Sequence, residues 1–228
     1  MTVATPPQSL ALIGDVHGRL DALIAVLDEI AAAGIASGLC TGDVVMRGPE
    51  PSRCIARIRE LDWPTVIGNT DRKVAAGRPR PPSHPASHRV GSRSWTYREL
   101  DRTDRAWLRA LPQVVRVDFG GARVVVIHGD ADSLPYPITA ETPSRDIERQ
   151  LRSLEADVLV LGHTHVAMIR TVGNGVVINP GAVGESRSPD GQPHWAWLEA
   201  TPDGIVPHLE VVPTPLAPQR DDADGQED

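Results

Sequence analysis

Residues 10–43, LALIGDVHGRLDALIAVLDEIAAAGIASGLCTGD, decide the fold because they read as strand, polar turn, helix and second strand. Residues 10–13 form an apolar run bounded by a turn. Beyond it Leu20, Leu23, Ile24, Leu27 and Ile30 recur at helical spacing until Gly34, and residues 39–41 make the next strand. The rhythm continues: Pro51, at a position helices tolerate, opens a helix marked by Ile55, Ile58 and Leu61, and residues 65–67 predict a third strand. Strands joined through helices run parallel, so the first third predicts an α/β sheet.

Residues 72–93 break this pattern with Pro79, Pro81, Pro82 and Pro85, and read as a long loop of functional or mobile character. Residues 95–100 and 104–111 then read as short helices. The second half is richer in strands. Residues 113–119 and 122–127 flank a Gly120-Gly121 hairpin turn, and Ser144 is the expected cap of a helix carrying Ile147, Leu151 and Leu154. Residues 158–161 read as a buried strand. Residues 167–172 and 176–178 form a hairpin around Asn174-Gly175, and residues 195–200 and 205–212 pair across Pro202-Asp203-Gly204. Pro207 cannot donate to a ladder, which places that last strand at an edge. Residues 1–212 are expected to form one domain, and residues 213–228 a Pro-rich, then acidic, disordered tail.

The 228 residues are 40% hydrophobic and 23% charged, as in ordinary globular proteins, and five Trp, two Tyr and one Phe leave the core to aliphatic side chains. Of the net charge of −7, residues 219–228 contribute −4 through five acids and one Arg, so the body is nearly balanced. No basic stripe marks it for bulk nucleic-acid binding. Cys40 and Cys54 make no disulfide framework, and neither a signal peptide nor a membrane-length apolar run is visible. The expectation is a cytoplasmic protein acting on a small molecule.

The chemistry lies at the ends of the apolar runs. Residues 12–14 lead to Asp15 and His17, residues 40–42 to Asp43, and residues 66–68 to Asn69. Residues 125–127 lead to His128, and residues 160–162 to His163 and His165. If the runs are strands of one sheet system, these seven groups share the rim where α/β sheets bind ligands. The glycines at the run ends permit sharp turns and close backbone approach. Four imidazoles, two carboxylates and an amide oxygen suit manganese, iron or zinc. Seven donors exceed one four-coordinate ion and suit two, with Asp43 the natural bridge. Two such ions sharing a hydroxide can attack and clamp a phosphoryl group at neutral pH.

The ordered strings Gly14-Asp15-Val16-His17-Gly18, Gly42-Asp43-Val44-Val45-Met46-Arg47-Gly48, Gly68-Asn69-Thr70-Asp71, His128-Gly129 and Gly162-His163-Thr164-His165 resemble the motifs of the calcineurin-like metallophosphoesterases. The resemblance spans about residues 10–200 and implies two mixed β-sheets packed face to face with helices outside. It implies one divalent ion on Asp15, His17, Asp43 and His165, and a second on Asp43, Asn69, His128 and His163, with manganese the first expectation. Asn179-Pro180-Gly181 is similar to a loop of the family but is equally an ordinary turn.

One departure bears on mechanism. Phosphoprotein phosphatases and dinucleoside polyphosphate hydrolases carry a leaving-group His where this chain has Thr70. The phosphatases carry an orienting Asp where it has Met46. A positioned general acid contributes ~10²–10⁴-fold, so esters with better leaving groups are favoured. Asp71, or the loop holding His84 and His88, is an alternative acid, and Arg47 is the candidate phosphate ligand. The resulting expectation is a dinuclear phosphoesterase acting on small phosphodiesters, phosphomonoesters or nucleotides. The alternatives are a phosphoprotein phosphatase, a dinucleoside polyphosphate hydrolase, or a scaffold without catalysis.

Overall fold

The structure, a computed structural model, describes residues 8–213. In chain order its elements are β1 (Gln8–Ile13), α1 (Leu20–Ala32), β2 (Gly38–Cys40), α2 (Pro51–Leu61), α3 (Asn69–Ala75), α4 (Arg93–Glu99) and α5 (Arg102–Ala110). They continue with β3 (Val114–Phe119), β4 (Ala122–Ile127), α6 (Ser144–Leu154), β5 (Val158–Val160), β6 (Met168–Val172), β7 (Gly175–Asn179), β8 (His194–Thr201) and β9 (Gly204–Val211). One sheet has the order β2-β1-β8-β9 and the other β3-β4-β5-β7-β6, and both are mixed.

The two-residue side-chain period sets the layers. Leu10 and Leu12 face inward with Val124, Val126, Val158, Val160, Ile178 and Leu198, and fill the space between the sheets. Their alternates, Ala11 and Ile13, pack on the other face against Leu23, Val26, Ile30, Ile55 and Ile58 from α1 and α2. Across the molecule Val125, Ile127, Leu159 and Val177 pack under Ile147 and Leu151 of α6. The result is the expected sandwich of two sheets with helices outside. Burying a Leu or Ile side chain is worth about 1.5–3 kcal/mol, and both sheets are buried on two faces. That is why β4 and β5 read as unbroken Val/Leu runs.

Four local expectations need correction. Residues 65–67 make no third strand: Thr65 forms a single parallel bridge to Cys40, and the Ile67 amide turns away to the Pro112 carbonyl. The chain leaves the sheet there to enter α3, whose last four residues, 72–75, fall in the stretch read as loop. Ser144 is the first residue of α6 and does not cap it; Pro143 holds the cap position with no side-chain bond. The β6–β7 turn is Gly173-Asn174, one residue earlier than expected, because Val172 pairs with Gly175 and Gly173 takes the left-handed φ of 59°. Pro207 does lie on the edge strand β9. The acidic tail falls outside the described residues. Among the described residues no helix is long and apolar enough to cross a membrane.

Candidate metal centre

Both sheets deliver donors to one rim. Asp15 and His17 follow β1, Asp43 follows β2, His128 follows β4, and His163 and His165 follow β5; Asn69 opens α3. Asp15, His17, Asp43, His128 and His165 are at most 3% exposed, whereas Asn69 and His163 are half-buried and mark the mouth.

Asp15, His17, Asp43 and His165 place one donor atom each within 4.8 Å of one another. His17 Nε2 faces His165 Nε2 at 3.1 Å and Asp43 Oδ2 at 3.7 Å, and His165 Nε2 lies 3.3 Å from Asp15 Oδ1. The same Asp43 Oδ2 also lies 3.4 Å from His128 Nε2. His128 Nε2 and His163 Nδ1 each stand 2.9 Å from Asn69 Oδ1. The residues of the two groups of four that the resemblance implies thus lie together in space, with Asp43 near both.

The hydrogen bonds behind these atoms select their chemistry. His128 Nδ1 donates to the Thr41 carbonyl at 2.8 Å and His165 Nδ1 to the Glu185 carbonyl at 2.8 Å, which leaves Nε2 of both rings turned inward as a lone-pair donor. Lone pairs of imidazole, amide and carboxylate then converge. His17 Nδ1 is a buried nitrogen without a hydrogen-bond partner. Such a set asks for positive charge. Burial acts against His128 protonation, yet the Asp43 carboxylate holds its affinity for a proton up to about 10. Burial, reinforced by the charges of His165 and Arg47 against the opposing Asp43, takes His17 down to about 3. Burial would raise Asp43, but His128 and His17 hold it well below the carboxylate range. A divalent cation fits this set better than shared protons do.

The backbone accepts strain to make the arrangement. Among the described residues nine non-glycine residues have left-handed φ, and Asp15, His17, Asp43, His163 and His165 are five of them, at 51–68°. Of the glycines preceding the donors, Gly42 turns the chain as expected, with a φ of 89°, and the other three serve a different purpose. Gly14, Gly68 and Gly162 are not left-handed. A Cβ on Gly68 would sit 2.0 Å from Asp43 Oδ1, and one on Gly162 would sit 2.8 Å from Asp15 Oδ2. They make room for a neighbouring donor while the donor residues turn the chain.

The remaining candidates fall elsewhere. Asp71 is fully buried, and its carboxylate accepts the Val44, Val45 and Gly68 amides at 2.9, 3.1 and 3.2 Å. Burial and the nearby Asp43 push it up to about 7. Thr70 is buried; its hydroxyl donates to the Val45 carbonyl and its amide to Asp43 Oδ1. His88 bonds the Pro82 carbonyl and His84 meets Arg80, both inside their own loop. Asn179 donates to the Gly162 carbonyl and to Thr164, bracing the turn that carries His163 and His165. Arg47 meets Glu185 at 2.7 Å. Glu185 was not visible in the sequence, since nothing but its place after Gly184 distinguishes it.

Comparisons with known proteins agree with this geometry. Residues 9–202 match the family model described as the calcineurin-like phosphoesterase superfamily domain. An uncharacterized protein of Methanocaldococcus jannaschii is 27% identical over 195 residues, 78% of this chain and 77% of that protein. A metallophosphoesterase from Sphaerobacter thermophilus is 27% identical with a TM-score of 0.69, over 90% of this chain and 89% of that one. A hypothetical protein from Pyrococcus horikoshii shares the fold at 20% identity and a TM-score of 0.76, covering 90% and 87%. Vacuolar Protein Sorting 29 from Cryptosporidium parvum shares it at 20% and 0.56, covering 90% and 97%.

Proposed function

We propose that this chain, which belongs to the calcineurin-like phosphoesterase superfamily, is a dinuclear phosphoesterase acting on small phosphodiesters, phosphomonoesters or nucleotides. The observation that carries the reading is Asp43 Oδ2, which lies within reach of both His17 Nε2, at 3.7 Å, and His128 Nε2, at 3.4 Å. Asp15, His17, Asp43 and His165 would hold one divalent ion, and Asp43, Asn69, His128 and His163 the other. Manganese is the first expectation, with iron or zinc the alternatives. Such ions supply Lewis acidity toward phosphoryl oxygens and a nucleophile from water at neutral pH.

The chain supplies the rest. The carbonyls of Thr41 and Glu185 fix the His128 and His165 rings. Asn69 and Arg47 orient the phosphoryl oxygens. Asp71 positions the loop of residues 43–45 through the Val44 and Val45 amides and accepts the Gly68 amide as well, which suits it poorly to protonating a leaving group. Thr70, spent on Val45, offers no acid either, so protonation falls to solvent and aryl or otherwise stabilised leaving groups are favoured. That weighs against phosphoprotein phosphatase and dinucleoside polyphosphate hydrolase chemistry, and the complete donor set weighs against a scaffold. Buried, unpaired Cys40 and Cys54 accord with a cytoplasmic setting.

The test is Asp43→Asn. Bound manganese, measured on the same preparation as aryl phosphodiester turnover, should fall with activity, turnover by at least about 100-fold. Full turnover in this variant would remove the bridging role of Asp43.

A further inference from the structure

We propose that Glu185, through its ion pair with Arg47, makes the site select singly charged phosphodiesters over doubly charged phosphomonoesters, an inference that rests on the phosphoesterase reading. Arg47 and Glu185 lie at the lip, 29% and 20% exposed, with Nη1 and Oε2 2.7 Å apart. The pair adjoins the donor set: the Glu185 main-chain carbonyl lies 2.8 Å from His165 Nδ1.

This is no incidental meeting of two loose side chains. Arg47 follows Met46, both with left-handed φ, at 72° and 68°, and its amide donates to the Gly91 carbonyl at 2.7 Å. A Cβ on Gly91 would lie 2.1 Å from the Arg47 carbonyl oxygen, so the two backbones fit only with glycine there. Glu185 is fastened to the centre itself. Its carbonyl accepts from His165, and the preceding Gly184 amide donates to the Asp15 carbonyl at 2.9 Å. Each partner is held from its own main chain, which removes much of the entropic penalty that weakens surface ion pairs.

The chemical consequence concerns charge. A guanidinium has five N–H donors, so Arg47 can reach a phosphoryl oxygen while paired with Glu185. The pair is nevertheless neutral. A diester brings one negative charge. A monoester, with its second pKa near 6, brings close to two at neutral pH, and the second meets a carboxylate instead of an uncompensated guanidinium. A unit charge several ångströms away at a partly buried site changes affinity on the order of tenfold.

The experiment compares bis(4-nitrophenyl) phosphate with 4-nitrophenyl phosphate on the manganese-loaded full chain, in wild type, Glu185→Gln and Glu185→Asp. The two esters share a leaving group, so the ratio of their kcat/KM values cancels differences in folding and metal content. Glu185→Gln should shift that ratio toward the monoester by about tenfold, and Glu185→Asp should keep it. A ratio that stays within about twofold in Glu185→Gln, even with both rates depressed, overturns the proposal. Binding gives a second readout without turnover. At pH 8, calorimetry should show inorganic phosphate tightening about tenfold in Glu185→Gln and dimethyl phosphate little changed. Equal effects on both anions would overturn the proposal. If wild type hydrolyses neither ester, the phosphoesterase reading fails, and calorimetry still decides the role of Glu185.

Discussion

A left-handed backbone at an aspartate or histidine is uncommon and costs on the order of 1 kcal/mol, and the metal centre holds five such residues. Aspartate is one of the side chains that best tolerate that conformation, and asparagine is its equal. Asp43→Asn therefore keeps the turn, and its Oδ1 can still accept the Thr70 amide. Its metal-free form should melt within a few degrees of metal-free wild type, which separates loss of metal from loss of fold. Thr70→His should behave oppositely. Thr70 is 2% exposed, and a histidine there must displace packing and abandon the Val45 bond. Destabilisation of about 1–3 kcal/mol by denaturant titration is expected, with no gain in aryl ester turnover. A large gain would show that a leaving-group acid can act there without the partner missing at Met46. At this scale the donors were legible, because a polar group directly after an apolar run has few structural reasons to be there. Glu185 was not, because its meaning comes from a residue 138 positions away.

Among elements, the three-residue β5 depends on its neighbours. Arg123 at the start of β4 donates from Nε and Nη2 to the two Asp157 oxygens at 3.0 and 2.9 Å, and its amide donates to Asp157 as well. These bonds to Arg123 hold Asp157 at about 2, below its ordinary 3.8. A depressed carboxylate stabilises the fold above its unfolded pKa, and the contribution disappears as pH falls from about 4 through 2. The pair is exposed, so the contribution is below about 1 kcal/mol. Asp157→Asn should lower stability by that amount at pH 7 and remove the difference from wild type near pH 2, as read by urea denaturation. The loop before α4 offers a sharper test. Gly91→Ala combines a φ of 81° with a clash on Arg47, and should destabilise by about 2 kcal/mol or more and raise KM for an aryl diester. The long helices and the hairpins were legible from period and turn residues. Helix α3 was not, since its seven residues bring only Val74 and Ala75 to the core, too few to show a period.

For the whole molecule, the donors come from both sheets, so a cation bound at the rim ties β1 and β2 to β4 and β5. A ligand that binds the folded chain stabilises it by about 2.7 kcal/mol at 100 times its Kd. Manganese should raise the thermal midpoint by several degrees, and a chelator should reverse the rise; no shift would mean no site. Sheet topology carries a further consequence. β1 is central in its sheet, yet its neighbour β8 comes from the far end of the chain, with Gln8 opposite Ala200 and Leu12 opposite Ala196. A ribosome adding about 5–20 residues per second needs roughly 10–40 s to deliver that partner. Throughout that interval β1 stands with the edge that β8 will fill unpaired. The nascent chain therefore spends most of its synthesis exposed to wrong strand partners, including identical chains on the same message, and closes its core when the last hairpin emerges.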